Sequence, residues 1–316
     1  DLPLLHRLRN HGQCFDARQA FTRGINPLQS ALLDAITPGW GDLSLVAPHS
    51  SKRALTAVGQ VSHHPHHPIA HLTFLGPTSA IDEDNGLRLL DALARSVGER
   101  GGHHLIAEVD EDSAAFVSMR RAGFAVYARQ RIWRVDNGGL ETAETESHRW
   151  RKKSAQDEFA ITRLYLNLVP ALVQQVEPPP TNKDAGWVHW HQDELHGYLD
   201  LDAGRQGVWA HPYLHPAAQD HEQLLAAAFN KLAQEYNRPL YICIRSYQGW
   251  MNAALERMRL SRCADQAVMV KRLAASLHRH AEAHYPQIEA TSPEPSAPFS
   301  ASTRHETARG VEQPTP

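Results

Sequence analysis

The 316-residue chain is 42% hydrophobic and 21% charged, the balance of a soluble globular protein with apolar material enough for two cores. A net charge of −3 with histidines neutral gives no electrostatic basis for a nucleic-acid or membrane partner, and no apolar run reaches membrane-spanning length. Cys14, Cys243 and Cys263 make no disulfide framework, and the start lacks a signal-peptide apolar region, so a cytoplasmic protein is expected.

In chain order, residues 2–8 have strand character, and Asn26-Pro27 is a helix start with Leu28, Ala31, Leu32 and Ala35 on one face. Residues 43–47, 54–62 and 69–75 read as strands. A loop, TSAIDED, follows Gly76-Pro77, and then a helix carries Leu87, Leu90, Leu93, Ala94 and Val97 at helical spacing until Gly101-Gly102. Residues 103–135 carry the clearest punctuation. A strand at 105–109 leads to Asp110-Glu111-Asp112, acids suited to a helix start; the helix ends at Gly123, and from Phe124 the period returns to two.

Residues 136–157, with Gly138-Gly139, clustered acids and HRWRKK, read as an exposed linker. Beyond it, 159–164 is strand-like, 166–176 is a helix that must tolerate Pro170, and 195–201 and 207–214 are strands. A helix marked by Leu225, Ala228, Phe229 and Leu232, a strand at 240–245, a helix at Met251 to Met258 and a strand at 267–273 complete the order. Leu89-Leu90 matches Leu224-Leu225 at an offset of 135, and Phe124 matches Leu260 at 136, so helix, strand, helix and strand recur in register. The expected organisation is a first domain at 1–135, a linker at 136–157, a second domain at 158–284, and a disordered Pro/Ser/Thr-rich tail at 285–316.

The strand, the acid-started helix and the R-R-A-G-F that ends it resemble the C-terminal half of the GNAT superfamily, the GCN5-related N-acyltransferases. The resemblance implies an α/β (α+β) chain of two tandem GNAT-like domains, each a mixed, mostly antiparallel sheet flanked by helices and opening between its fourth and fifth strands. It implies acetyl-CoA or another acyl-CoA as co-substrate and an amine, small-molecule or peptide, as acceptor. The pantetheine arm pairs with strand backbone in this family, which points to the strands ending at Leu75 and Leu214.

The pyrophosphate loop of the family corresponds to Ile81-Asp82-Glu83-Asp84-Asn85-Gly86, where Asn85 and Gly86 open the helix but Ile81 stands at the basic or amide position and three acids crowd the phosphates. In the second half, His221 is the cation that a phosphate would meet. The Asn that often opens the last helix is matched by Asp112 and, near it in the second copy, Gln248. The Tyr that serves as general acid in the family is matched by Met119 and Leu255, neither able to donate a proton.

Two residues are candidates for catalysis. Glu108, on an apolar strand, is either a general base or an ion-paired carboxylate. Tyr247 is either a proton donor or a packed tyrosine with a satisfied hydroxyl. His63-His64-Pro65-His66-His67 and the pair His189 and His191 lack interleaved Cys or carboxylates; they read as polar turns, with no metal expected. Cys243 reads as a small buried hydrophobe. Two functions stay open: an N-acyltransferase, and a duplicated scaffold that no longer catalyses and serves as a binding module.

Overall fold

The computed structural model describes residues 11–24, 41–47, 56–64, 67–81, 84–135, 149–180, 185–218 and 220–273. The strand expected at 2–8, the helix at 26–35, the acids Asp82 and Glu83, most of the linker and the tail lie outside them. The elements are β1 (Gln13–Cys14), α1 (Ala17–Thr22), β2 (Gly41–Ala47), β3 (Ala57–His63), β4 (Ile69–Gly76), α2 (Thr78–Ile81), α3 (Asp84–Glu99), β5 (His104–Val109), α4 (Ala114–Arg121) and β6 (Ala125–Val135). They continue as β7 (Arg151–Lys152), α5 (Glu158–Leu168), α6 (Ala171–Gln174), β8 (Gly186–His191), β9 (Glu194–Ala203), β10 (Val208–Leu214), α7 (His221–Tyr236), β11 (Leu240–Arg245), α8 (Met251–Arg257) and β12 (Ser261–Arg272). Among the described residues no helix is long and apolar enough to cross a membrane.

All the strands join one sheet in the order β2-β3-β4-β5-β12-β6-β11-β10-β9-β8-β7, with β1 beside β4. The pairings are antiparallel except for two, β4 with β5 and β10 with β11. These sit at equivalent places in the two copies, since β5 begins at His104 and β11 at Leu240, an offset of 136 (240 − 104).

At the centre the copies exchange their last strands. The second copy's β12 lies between β5 and β6, and the first copy's β6 lies between β12 and β11. Ala267 and Met269 of β12 therefore complete the core built by α3, α4 and β3–β5. Trp133 and Val135 of β6 complete the core built by α7, α8 and β9–β11. Alternation puts the other face of the same strands, Ile106, Ala128, Val268 and Val270, under α5 and α6. The central strands are thus covered on both faces, and neither core closes without a strand from the other copy.

Four local readings are corrected. Residues 159–164 are helical, because Ile161, Leu164 and Tyr165 fall on one buried face and Asp157 closes a capping box with Ser154. Pro170 ends that helix and stands before the short α6, where its fixed φ costs nothing. Thr78–Ile81, expected in a loop, form a helical turn. Residues 149–157 are ordered rather than an open linker: Trp150 is buried with its indole N–H on the Leu224 carbonyl at 2.9 Å, and β7 pairs with β8. The strand β8 itself and the two short elements β1 and α1 had no counterpart in the sequence reading. Elsewhere the boundaries moved by a few residues; β12 begins at Ser261 rather than 267.

Two outcomes are expected. Fragments 1–140 and 149–276 should be soluble and cooperatively folded only when co-expressed, because each lacks a core strand alone; a stable, monomeric 1–140 fragment on thermal melting would rule out the exchanged arrangement. Asp157 accepts from Arg151, from the Ser154 backbone and hydroxyl, and from the Trp190 indole. Burial raises its pKa, but these donors and the Arg151 charge outweigh that and bring it from 3.8 to about 2. Its stabilisation, on the order of 2 kcal/mol, is fully present above the unfolded value and is lost as pH falls through the folded one. Asp157→Asn should lower Tm at neutral pH and flatten the decline of stability between about pH 4 and 2.

Candidate active site

Each parallel pair holds together for only three residues and then opens. In the first copy Ile69, Ala70 and His71 pair with His104, Leu105 and Ile106. In the second Val208, Trp209 and Ala210 pair with Leu240, Tyr241 and Ile242. Past those points the facing edges of β4 and β10 carry peptide groups that need partners.

The first opening is filled by the chain itself. Gln13 and Cys14 pair antiparallel with Leu75 and Phe74. Phe15 donates to the Thr73 carbonyl at 3.2 Å and accepts from the Glu108 N–H at 2.8 Å, so this strap bonds both diverging strands. The Thr78 N–H donates to the His11 carbonyl at 2.8 Å. Phe15 is sunk in the first core. Gly12 permits the approach, since a Cβ there would lie 2.1 Å from the Phe74 ring. Beyond it Gly86 packs closely on α2, where a Cβ would sit 2.5 and 2.6 Å from the carbonyl oxygens of Ala80 and Ile81. Asn85 is buried beside it, while Asp112 is exposed on the turn before the Ser113 N-cap of α4.

Glu108 belongs to this closure. Its Oε2 accepts the Ala17 N–H at 2.7 Å, capping α1 together with Asp16, whose Oδ1 accepts from Gln19. Its other oxygen is 3.9 Å from Arg245. Burial raises its pKa against the opposing pull of Arg245. Both carboxylate oxygens thus face partners within the fold.

The second opening is bridged by one side chain. Gln248 donates from Nε2 to the Pro212 carbonyl at 2.9 Å and accepts the Leu214 N–H at 3.2 Å. Counted from the paired residues, Pro212 and Leu214 are the counterparts of Thr73 and Leu75, so an amide side chain and a main-chain strap satisfy the same positions.

Below Gln248 lies a buried polar cluster that sequence reasoning missed. Arg245 bonds Glu177 at 2.8 Å; Tyr127 donates to the same carboxylate, and the Tyr165 hydroxyl donates to the Glu177 carbonyl at 2.6 Å. Burial opposes the Arg245 charge, but Glu177, Tyr127 and Glu108 hold it protonated. Arg245 Nε and Nη1 and the Tyr247 hydroxyl are buried without a partner among the described residues. Burial keeps that hydroxyl protonated well above the ordinary tyrosine range. The signal was a lone arginine ending the apolar strand LYICIR.

At the start of α7, His221 meets the Trp250 ring edge-on with centroids 4.6 Å apart, and its Nε2 is buried without a hydrogen-bond partner among the described residues. Cys243 is buried, donates to Gln130 and has its pKa pushed by burial to about 12, which removes it as a nucleophile. His63 closes the β3–β4 hairpin through the His67 carbonyl at 2.8 Å, and His189 holds the Arg149 carbonyl at 3.1 Å. Among the described residues no three His, Cys, Asp or Glu side chains are grouped to hold a metal.

No family model and no curated protein matches the chain. Among solved structures it is similar to a functionally unknown conserved protein from Staphylococcus epidermidis, with a TM-score of 0.51, 11% identity, and coverage of 78% of this chain and 100% of that one. It is also similar to a tandem GNAT protein from the clavulanic acid biosynthesis pathway (TM-score 0.48, 13% identity, 81% and 91% covered). A GCN5-related N-acetyltransferase from Kribbella flavida is a third (TM-score 0.49, 13% identity, 77% and 95% covered). At such identities the likeness concerns fold alone. Two mostly antiparallel copies, each opening at one parallel pair, fit the tandem GNAT-like organisation expected from the sequence.

Proposed function

We propose that the chain is an acyl-CoA-dependent N-acyltransferase that works through its second opening only, the first copy serving as a closed structural partner. The observation that carries this reading is Gln248. Its amide occupies one N–H and one C=O of β10 much as an amide of a pantetheine arm would, and rotation of one side chain frees both groups. A phosphate at the start of α7 would meet the partnerless His221 Nε2. In the first copy the strap already occupies the matching edge of β4.

A bound acyl-CoA would supply the thioester that a neutral amine attacks, the C–N bond forming as the C–S bond breaks. Pro212 and Leu214 would align it; the Tyr247 hydroxyl, beside the Arg245 charge, would give its proton to the leaving sulfur, and the proton lost by the amine would restore it. The acceptor is an amine, small-molecule or peptide. A non-catalytic reading is favoured for the first copy alone, by the strap.

Calorimetric titration of acetyl-CoA and CoA into the whole chain should give one site, with Kd in the tens of micromolar, about −6 kcal/mol. Gln248→Ala should lower Tm in the free chain, since it strands two buried peptide groups, and should tighten CoA binding about tenfold, because the ligand then restores them. Absence of binding at millimolar CoA would sink the enzyme reading; two sites per chain would sink the assignment to one opening. Tyr247→Phe should lower turnover while leaving CoA affinity unchanged, and an unchanged rate would remove Tyr247 as the proton donor.

A further inference from the structure

Two large aromatic rings stand in solvent where a stable core has no use for them. Phe159 on α5 is 81% exposed, and Trp190 at the end of β8 is 36% exposed. Both line one cleft of about 300 Å³ between α5 and the β8–β9 hairpin. An apolar wall inside a concave site is the usual mark of ligand binding rather than of surface chance.

The Trp190 ring is held in place. Its indole N–H is spent on Asp157 Oδ1 at 3.0 Å, and Asp157 is itself pinned by Arg151 and Ser154. The ring's polar edge is thereby used, and its apolar faces remain for contact.

The hairpin brings charge to the same wall. Gln192 and Asp193 both adopt left-handed backbone, φ 48° and 64°, as the two-residue turn joining β8 to β9 requires. That turn sets Asp193 and Glu194 in the cleft lining, which also holds Arg163, so carboxylates outnumber the fixed cation two to one. The cleft also reaches His215, the residue after Leu214, and so abuts the edge of β10 at the second opening.

We propose that this cleft is the acceptor pocket of the transferase and takes a small organic cation with a planar apolar body, its ring against Phe159 and Trp190 and its ammonium toward Asp193 and Glu194. This inference rests on the acyltransferase reading for its role but not for its binding. An aromatic face and a carboxylate together favour a cation that carries its own ring; a bare ammonium uses only half of the wall, and an anion is repelled.

The probes are 2-phenylethylamine, its anionic counterpart phenylacetate, and n-butylamine, titrated without acyl-CoA by calorimetry and tryptophan fluorescence. Phenylethylamine should bind in the submillimolar range, with phenylacetate and n-butylamine each at least tenfold weaker. Phe159→Ala should weaken phenylethylamine about fivefold, and Asp193→Asn with Glu194→Gln about tenfold, while Tm stays unchanged because these side chains are on the surface. Trp190→Phe should abolish the fluorescence change. Equal or tighter binding of phenylacetate, no binding of phenylethylamine at millimolar concentration, or insensitivity to Phe159→Ala would overturn the proposal. Acetyl transfer is read separately by mass spectrometry. Phenylethylamine that binds as described but is not acetylated with acetyl-CoA present defeats the transferase reading and leaves the cleft standing; acetylation of other amines without phenylethylamine binding defeats only the cleft.

Discussion

Where two parallel strands part, each leaves peptide groups that must find other partners, and this protein is shaped by how those groups are satisfied. Unpaired N–H and C=O groups in a dry interior cost roughly 1–3 kcal/mol each. The first copy meets the demand with main chain, running Gln13 to Phe15 between β4 and β5. The second meets it with the Gln248 amide. Glu108 follows from the first solution: the strap turns directly into α1, whose first N–H then needs an acceptor, and the nearest strand provides it.

The strand exchange ties these solutions together. Since β12 lies between β5 and β6, the Glu108 of one copy and the Arg245 of the other come within 3.9 Å on the same face of the sheet. Arg245 is buried and charged, which is tolerable only beside Glu177, with Glu108 further off. The polar cluster under the second opening is thus built from both copies. Tyr127 comes from β6 of the first, Arg245 and Tyr247 from the second, and Glu177 from the segment after α6. A change in one copy's last strand would be felt in the other copy's site.

Much of this was legible in the sequence, and the rest was hidden for physical reasons. Alternation along residues 105–109 and 240–245, the leucine spacing in α3 and α7, and Gly123 at φ 84° gave the repeat and its offset. Alternation tells which face a side chain takes but not which strand is the neighbour, so the exchange of β6 and β12 left no mark. The strap is two paired residues long, too short for any period to show. Residues 159–164 misled because a short apolar run fits strand and helix alike, and its first member, Phe159, is exposed rather than packed. Tyr247 was located, but the setting of its hydroxyl depends on Glu177, which reaches Arg245 from a distant part of the chain. Glu108 was singled out for being charged on an apolar strand; the same oddity is explained by a helix start that only the fold brings near.

The two closures also differ in strength, and under the proposed function that difference decides which copy acts. Displacing the strap would break the bonds from Phe15 to Thr73, from Glu108 to Phe15, from Thr78 to His11 and from Ala17 to Glu108. At about 1 kcal/mol net for each bond, and about 2 kcal/mol or more for lifting Phe15 from its core, a ligand would face a deficit on the order of 6 kcal/mol. Turning Gln248 aside breaks two bonds and moves no backbone, roughly 2 kcal/mol on the same scale. The gap of about 4 kcal/mol corresponds to nearly a thousandfold in affinity between otherwise equal openings. Under the proposed function the duplicated fold is thereby one-sided: main chain fills the first opening, and a glutamine amide that a ligand could replace closes the second.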